Sequence, residues 1–158
     1  MDLFNQNTIQ NILPFDGEAI YKGVIFSRKE SEAHYKNLFE EIPWENDQAI
    51  VFGKHYITKR KVAWFGDKPY SYKYSGITKQ AHIWTPELLQ LKQKIEEIST
   101  TSYNSCLLNL YHTGDEGMAW HSDAEKTLLD NGTIASVTLG AERKFSFKHK
   151  ESKQRIDV

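Results

Sequence analysis

Asn109 to Glu125 reads NLYHTGDEGMAWHSDAE. Two glycines divide it, and polar residues of different use stand on either side. Before them, apolar and polar residues alternate. An extended Ser105 to His112 puts Cys106, Leu108 and Leu110 on one face and Leu107, Asn109 and Tyr111 on the other. A covered polar face needs partners, because buried unpaired polar groups are costly; otherwise it is a solvent-facing sheet surface. After the glycines comes His121-Ser122-Asp123. On an extended strand both side chains of a His-x-Asp pair point to one face, because the side-chain period is two. An imidazole nitrogen and a carboxylate on one face are two members of the facial triad that holds Fe(II) with open positions. A bare pair of this kind is more often without a metal than with one, so its surroundings have to decide.

Outward from this stretch, Ile134 to Leu139 and Lys144 to His149 are strand-like. So are Ala49 to Phe52 and Val62 to Phe65, joined by a basic run, and Tyr21 to Phe26 makes a further short strand. Two helices come early. Ser27 to Glu30 has capping-box spacing, Tyr35, Leu38, Phe39 and Ile42 follow on one helical face, and Pro43 closes the element. Thr85 caps the second helix, Pro86 takes its first position, and Leu88, Leu91, Ile95 and Ile98 form its apolar stripe. Both stripes read as plain packing. Residues 1 to about 20 form an irregular arm whose Leu13-Pro14-Phe15 can tuck into the core. Strands that do not alternate regularly with helices indicate an α+β fold, an antiparallel sheet or sandwich with the helices on one side.

The 158 residues make one domain, large enough to bury a core. Net charge is −1, so no global attraction to nucleic acid is built in, but charge is local. GKHYITKRK, Gly53 to Lys61, holds four Lys or Arg and no acid, and RKFSFKHKESKQR, Arg143 to Arg155, is again strongly basic. Such runs are more often solvated loops than phosphate contacts, and it is the patch that decides. The single cysteine, Cys106, excludes an intrachain disulfide and suits a reducing compartment. No apolar run reaches the length of a membrane span and the N-terminus lacks a signal-peptide pattern, so the expectation is a cytoplasmic protein that enters no membrane.

The quoted stretch, the following IASVTLGAERKFSFKHK and the upstream RKVAWFGDKPYSYKYSG (Arg60 to Gly76) together resemble the AlkB family of Fe(II)- and 2-oxoglutarate-dependent nucleic-acid dealkylases. The likeness covers Pro14 to Lys150 with its motifs in order. It implies a double-stranded β-helix, or jelly roll, as the core of the single domain. IVFGKH (Ile50 to His55), YKYSG and HSDAE look most like the branch that repairs double-stranded DNA, in a bacterial form and a monomer.

By position the resemblance makes His121 and Asp123 iron ligands, and Leu107, Asn109 and Tyr111 contacts of 2-oxoglutarate, with O2 as co-substrate. Tyr72, Tyr74 and Ser75 would line the base pocket, and Glu125 would read the edge of the flipped base. Phe52 would wedge into the duplex, with Lys54, Arg60 and Lys61 on phosphates. These roles are physically coherent. An N-alkylated base that cannot pair is cheaper to flip. A ring fills the gap it leaves, basic residues hold the backbone without reading sequence, and a cationic base suits an aromatic face and a carboxylate.

Two departures stand out. Ala124 replaces an Asp that many members of this branch carry, which alters the lesions that fit. The family's distal histidine ligand and its Arg-x-x-x-x-x-Arg segment are not found after Asp123. The one later histidine, His149, falls in a strand-like basic stretch and reads as structural or DNA-facing, not as a ligand. The expectation is a domain lacking the C-terminal strands that carry the third ligand, binding iron weakly on its own. A catalytically inactive nucleic-acid-binding module is the competing reading. A related dioxygenase acting on RNA or protein is a third, disfavoured by the duplex wedge.

Overall fold

The structure is a computed structural model, and it describes residues 10–74, 77–123 and 128–158. Its elements in chain order are helix α1 (Arg28–Glu41), strands β1 (Glu45–Val51), β2 (Lys54–Gly66), β3 (Ser71–Tyr74), β4 (Ile77–Gln80) and β5 (His82–Ile83), helix α2 (Pro86–Ser99), and strands β6 (Ser105–Leu110), β7 (Ser146–Lys148) and β8 (Arg155–Asp157). The class is α+β, as expected.

Both helices begin where the sequence places their caps. The Ser27 hydroxyl accepts from the Glu30 amide at 3.3 Å while the Glu30 carboxylate accepts from the Ser27 amide at 2.8 Å, a reciprocal capping box. Thr85 accepts from the Leu88 amide at 3.2 Å, ahead of Pro86. The stripe of α1 divides: Leu38 and Ile42 reach the core, whereas Tyr35 and Phe39 stay half-exposed and stack on each other at 6.0 Å.

The thirteen-residue β2 organises the sheet. On one edge it pairs antiparallel with β1 and, at its last two residues, parallel with β5; on the other it pairs antiparallel with β6. Ala63 and Phe65 of β2 and Cys106 and Leu108 of β6 face the helices, meeting Leu38, Ile42, Leu88 and Leu91. Phe65 is the deepest side chain, 2% exposed, and removing its ring would cost about 3–5 kcal/mol. Burial pushes the Cys106 thiol up to about 12, so it behaves as a small apolar side chain.

Several expectations are corrected. Tyr21 to Phe26 is not a strand; Tyr21 and Val24 are exposed, and the nearest pairing is an isolated bridge, Asn11 to Ile20. The basic run is not a connecting loop. It is the first half of β2, joined to β1 by a two-residue turn. Ile134 to Leu139 forms no strand, because no described segment pairs with its backbone. The last predicted strand shortens to β7, which pairs with a strand the pattern missed, β8. The described strands make one four-stranded sheet and two hairpins, β3–β4 and β7–β8.

Gly66 ends β2 in a tight place. A Cβ there would lie 2.8 and 2.9 Å from two Tyr70 ring carbons and 3.1 Å from the Asn104 carbonyl oxygen. Gly66→Ala is expected to lower stability by about 1–3 kcal/mol, read as a shifted urea midpoint with an unchanged slope.

Candidate metal and cosubstrate site

His121 and Asp123 lie in an irregular segment, not on a strand as expected. They still converge: His121 Nε2 stands 3.4 Å from Asp123 Oδ1, with both side chains 48% exposed. The other ring nitrogen is occupied. His121 Nδ1 lies 2.9 Å from the Ala119 carbonyl oxygen, which can only accept, so Nδ1 donates there and Nε2 is the nitrogen turned toward Asp123. A ligating histidine fixed through its second nitrogen is the usual arrangement at metal sites. The donor set suits Fe(II): one imidazole and one carboxylate, close enough for a single ion. No group of three His, Cys, Asp or Glu able to hold a metal occurs among the described residues. His149 is engaged elsewhere, at 3.1 Å from Asp16 Oδ2 and 2.9 Å from the Ser152 hydroxyl, with Phe15 edge-on to its ring.

The cosubstrate candidates sit on or just after β6. Leu107 pairs with Trp64 and is exposed, Asn109 pairs with Val62, and Tyr111 follows the strand. The Arg143 guanidinium lies 4.0 Å from the centre of the Tyr111 ring, a cation–π contact. Arg143 also donates to the carbonyls of Thr113, at 3.1 Å, and Glu116. It thus ties Tyr111 to the glycine loop that leads to His121. Glu116 closes that loop from inside by accepting from the His112 amide at 3.0 Å. Neither residue had a role in the sequence reading: Arg143 was one charge in a basic run, and Glu116 needs its partner in view.

Arg60 is the clearest correction. It was expected on a DNA phosphate, yet it is buried, 5% exposed, and its guanidinium donates to Asp47 and to Asn109. A side chain committed in this way is not a surface phosphate contact. Lys54 stays exposed beside the Tyr56 ring, and Lys61 is half-buried in β2 opposite Leu110. An open cleft of about 210 Å³ lies between β2 and the glycine loop, lined by Thr58, Lys59, Arg60, Asp115, Glu116 and Gly117.

Phe52 occupies the tip of the β1–β2 hairpin, fully exposed. Phe52 and Gly53 both have positive φ, 49° and 75°, the conformation of a primed two-residue turn. Glycine accepts it freely; phenylalanine does so at a cost of roughly 1–2 kcal/mol. A bulky ring held at a strained, solvated tip points to a use outside the fold. On β3, Tyr72 pairs with Lys79 and Tyr74 with Ile77. Ser75, Ala124 and Glu125 lie outside the described residues.

Glu116 gives the loop a pH signature. The His112 amide holds its carboxyl below the usual glutamate range; burial opposes this and the His112 imidazole, 3.2 Å away, reinforces it. A depressed carboxyl stabilises the fold above its unfolded value and loses that contribution as pH falls through the folded one. The His112 amide resonance should therefore titrate with a midpoint below that of an exposed glutamate. In Glu116→Gln this acidic transition should vanish.

Comparison with known proteins agrees with this geometry. The profile of the 2OG-Fe(II) oxygenase superfamily matches residues 17–158. The alpha-ketoglutarate-dependent dioxygenase alkB homolog 3 of Bos taurus is 37% identical over 122 residues, which is 77% of this chain and 42% of that protein. The DNA oxidative demethylase ALKBH2 of Mus musculus is 32% identical over 133 residues, 82% of this chain and 56% of that protein. Its Homo sapiens counterpart is also 32% identical over 133 residues, covering 51% of its length. The chain spans about half the length of the curated relatives it matches. With a convergent histidine and aspartate on a fixed imidazole, and a match over most of its length, this chain belongs to the 2OG-Fe(II) oxygenase superfamily and, within it, to the AlkB family, whose cofactors are Fe(II) and 2-oxoglutarate.

Proposed function

We propose that this chain is the lesion-contacting part of an oxidative DNA demethylase that removes N-alkyl groups from bases flipped out of a duplex. One observation carries the reading: His121 Nε2 and Asp123 Oδ1 converge while a backbone carbonyl fixes the opposite ring nitrogen. A ligating histidine has this orientation, its second nitrogen held by a backbone carbonyl. Bound Fe(II) and 2-oxoglutarate supply oxidation of an N-alkyl carbon at the expense of O2. This chain's residues do the rest. His121 and Asp123 hold the metal, and Asn109 and Tyr111 orient the cosubstrate, with Leu107 beside them. Phe52 fills the space left by the flipped base, and Lys54 and Lys61 meet the backbone.

The third iron ligand and the arginines for the cosubstrate carboxylate are supplied, in this reading, by residues outside the present sequence. Their strands complete a jelly roll around the sheet described above. Two facts support this: no three-membered ligand group occurs among the described residues, and the matched stretch covers only 42% and 56% of two of the relatives. The first fact equally supports a second reading, a module that binds damaged DNA without turning it over.

The test uses the whole protein with Fe(II), 2-oxoglutarate and oligonucleotides carrying N1-methyladenine. Formaldehyde release with restored pairing is expected, and its loss in His121→Ala and Asp123→Ala. Binding without release would favour the module. Phe52→Ala is expected to cut activity on duplex roughly tenfold or more while sparing single strands, since one stacking ring is worth about 1–3 kcal/mol. Equal loss on both substrates removes the wedge from the mechanism.

A further inference from the structure

A line of polar and charged groups, buried at Asp47 and Arg60, leads to the cosubstrate candidate Asn109. It starts at an irregularity. Asn46 faces Lys61 but Gln48 faces Ile57, so β2 bulges against β1 at Asp47. Asn46 Nδ2 donates to the Thr58 carbonyl and the Thr58 hydroxyl to the Arg60 carbonyl, both at 2.8 Å, and these bonds close the bulge. A bulge re-aims side chains, and here Arg60 turns inward. Its Nη2 donates to Asp47 Oδ2 and its Nη1 to Asn109 Oδ1, while Lys79 Nζ donates to Asp47 Oδ1. Lys79, Asp47, Arg60 and Asn109 thus link β4, β1, β2 and β6.

The chemistry of this line is directional. A guanidinium only donates, so it can be met only by the oxygen of the Asn109 amide. The amide nitrogen, with two donors, must then point away from Arg60. Asp47 holds the guanidinium in place, and Lys79 holds Asp47. Arg60 Nε has no partner among the described residues, so the two committed ends of the fork set its orientation.

We propose that Asp47 and Arg60 are positioning residues that lock the Asn109 amide with its nitrogen presented to a carboxylate oxygen of 2-oxoglutarate. Through Lys79 the lock also ties the cosubstrate strand to the β3–β4 hairpin that bears Tyr72 and Tyr74. The proposal rests on the reading of Asn109 as a cosubstrate contact.

The experiment compares wild type, Asp47→Asn, Asp47→Glu and Arg60→Lys by two readouts. The first is the pair of Asn109 side-chain amide signals in protein without metal or cosubstrate, identified by their disappearance in Asn109→Asp. The second is the dissociation constant of 2-oxoglutarate in the presence of Mn(II). Asp47→Asn should shift or broaden the amide pair and weaken 2-oxoglutarate about tenfold, the scale of other outer-shell losses. Asp47→Glu should restore both. Unchanged amide signals in Asp47→Asn overturn the lock, and changed signals with unchanged affinity overturn its role in binding. If Asp47→Asn loses a dispersed spectrum, Arg60→Lys decides instead: it keeps the charge but lacks the fork, and native affinity there overturns the proposal. If wild type binds no 2-oxoglutarate, the role in binding is overturned together with the reading of Asn109, while the amide signals still judge the lock alone.

Discussion

A guanidinium cannot shed its proton at any pH a protein meets, so burying one obliges the fold to bring it a carboxylate. Arg60 is that guanidinium and Asp47 that carboxylate. Satisfying the pair sets the register between β1 and β2, because Asp47 reaches Arg60 where β2 bulges. It sets the amide of Asn109 on β6 and anchors Lys79 of β4. Residues from four separate strands are joined, and the buried pair at their centre is costly to break, about 3–5 kcal/mol if Asp47 or Arg60 is left alone.

The two faces of the sheet therefore work differently. The helix-facing side is apolar and packed around Phe65, Ile42 and Leu88. The opposite side is organised by charge and hydrogen bonding, from Asp47 and Arg60 to Asn109. Packing tolerates small apolar exchanges; a directional polar line does not. A cosubstrate that carries carboxylates fits the second kind of surface, where oriented donors can meet it. The loop between β6 and His121 extends the same logic, with Glu116 accepting inside it and Arg143 donating to it from outside.

The candidate metal ligands stand outside regular structure. His121 and Asp123 belong to no strand, yet one backbone carbonyl fixes the imidazole and leaves Nε2 facing the carboxylate. At the other end of the sheet the hairpin tip holds Phe52 in a backbone conformation that glycine would accept more easily. Both features place function on connections, supported by a sheet that supplies the rigidity.

The sequence by itself determined the local and periodic features. Ser27 with Glu30, and Thr85 with Pro86, specify helix starts because capping is a contact between residues three apart. The alternation of Cys106, Leu107, Leu108 and Asn109 specifies β6 and its two faces. The convergence of His121 and Asp123 was legible in their spacing, although the strand setting was not, because a His-x-Asp pair converges on a loop as well as on a strand. What tertiary structure alone decided is pairing across distance. Arg60 stands in a basic run that reads as solvated, and only the bulge opposite Asp47 turns it inward. Ile134 to Leu139 has the composition of a strand and stays unpaired among the described residues, because a strand exists only where another backbone meets its hydrogen bonds.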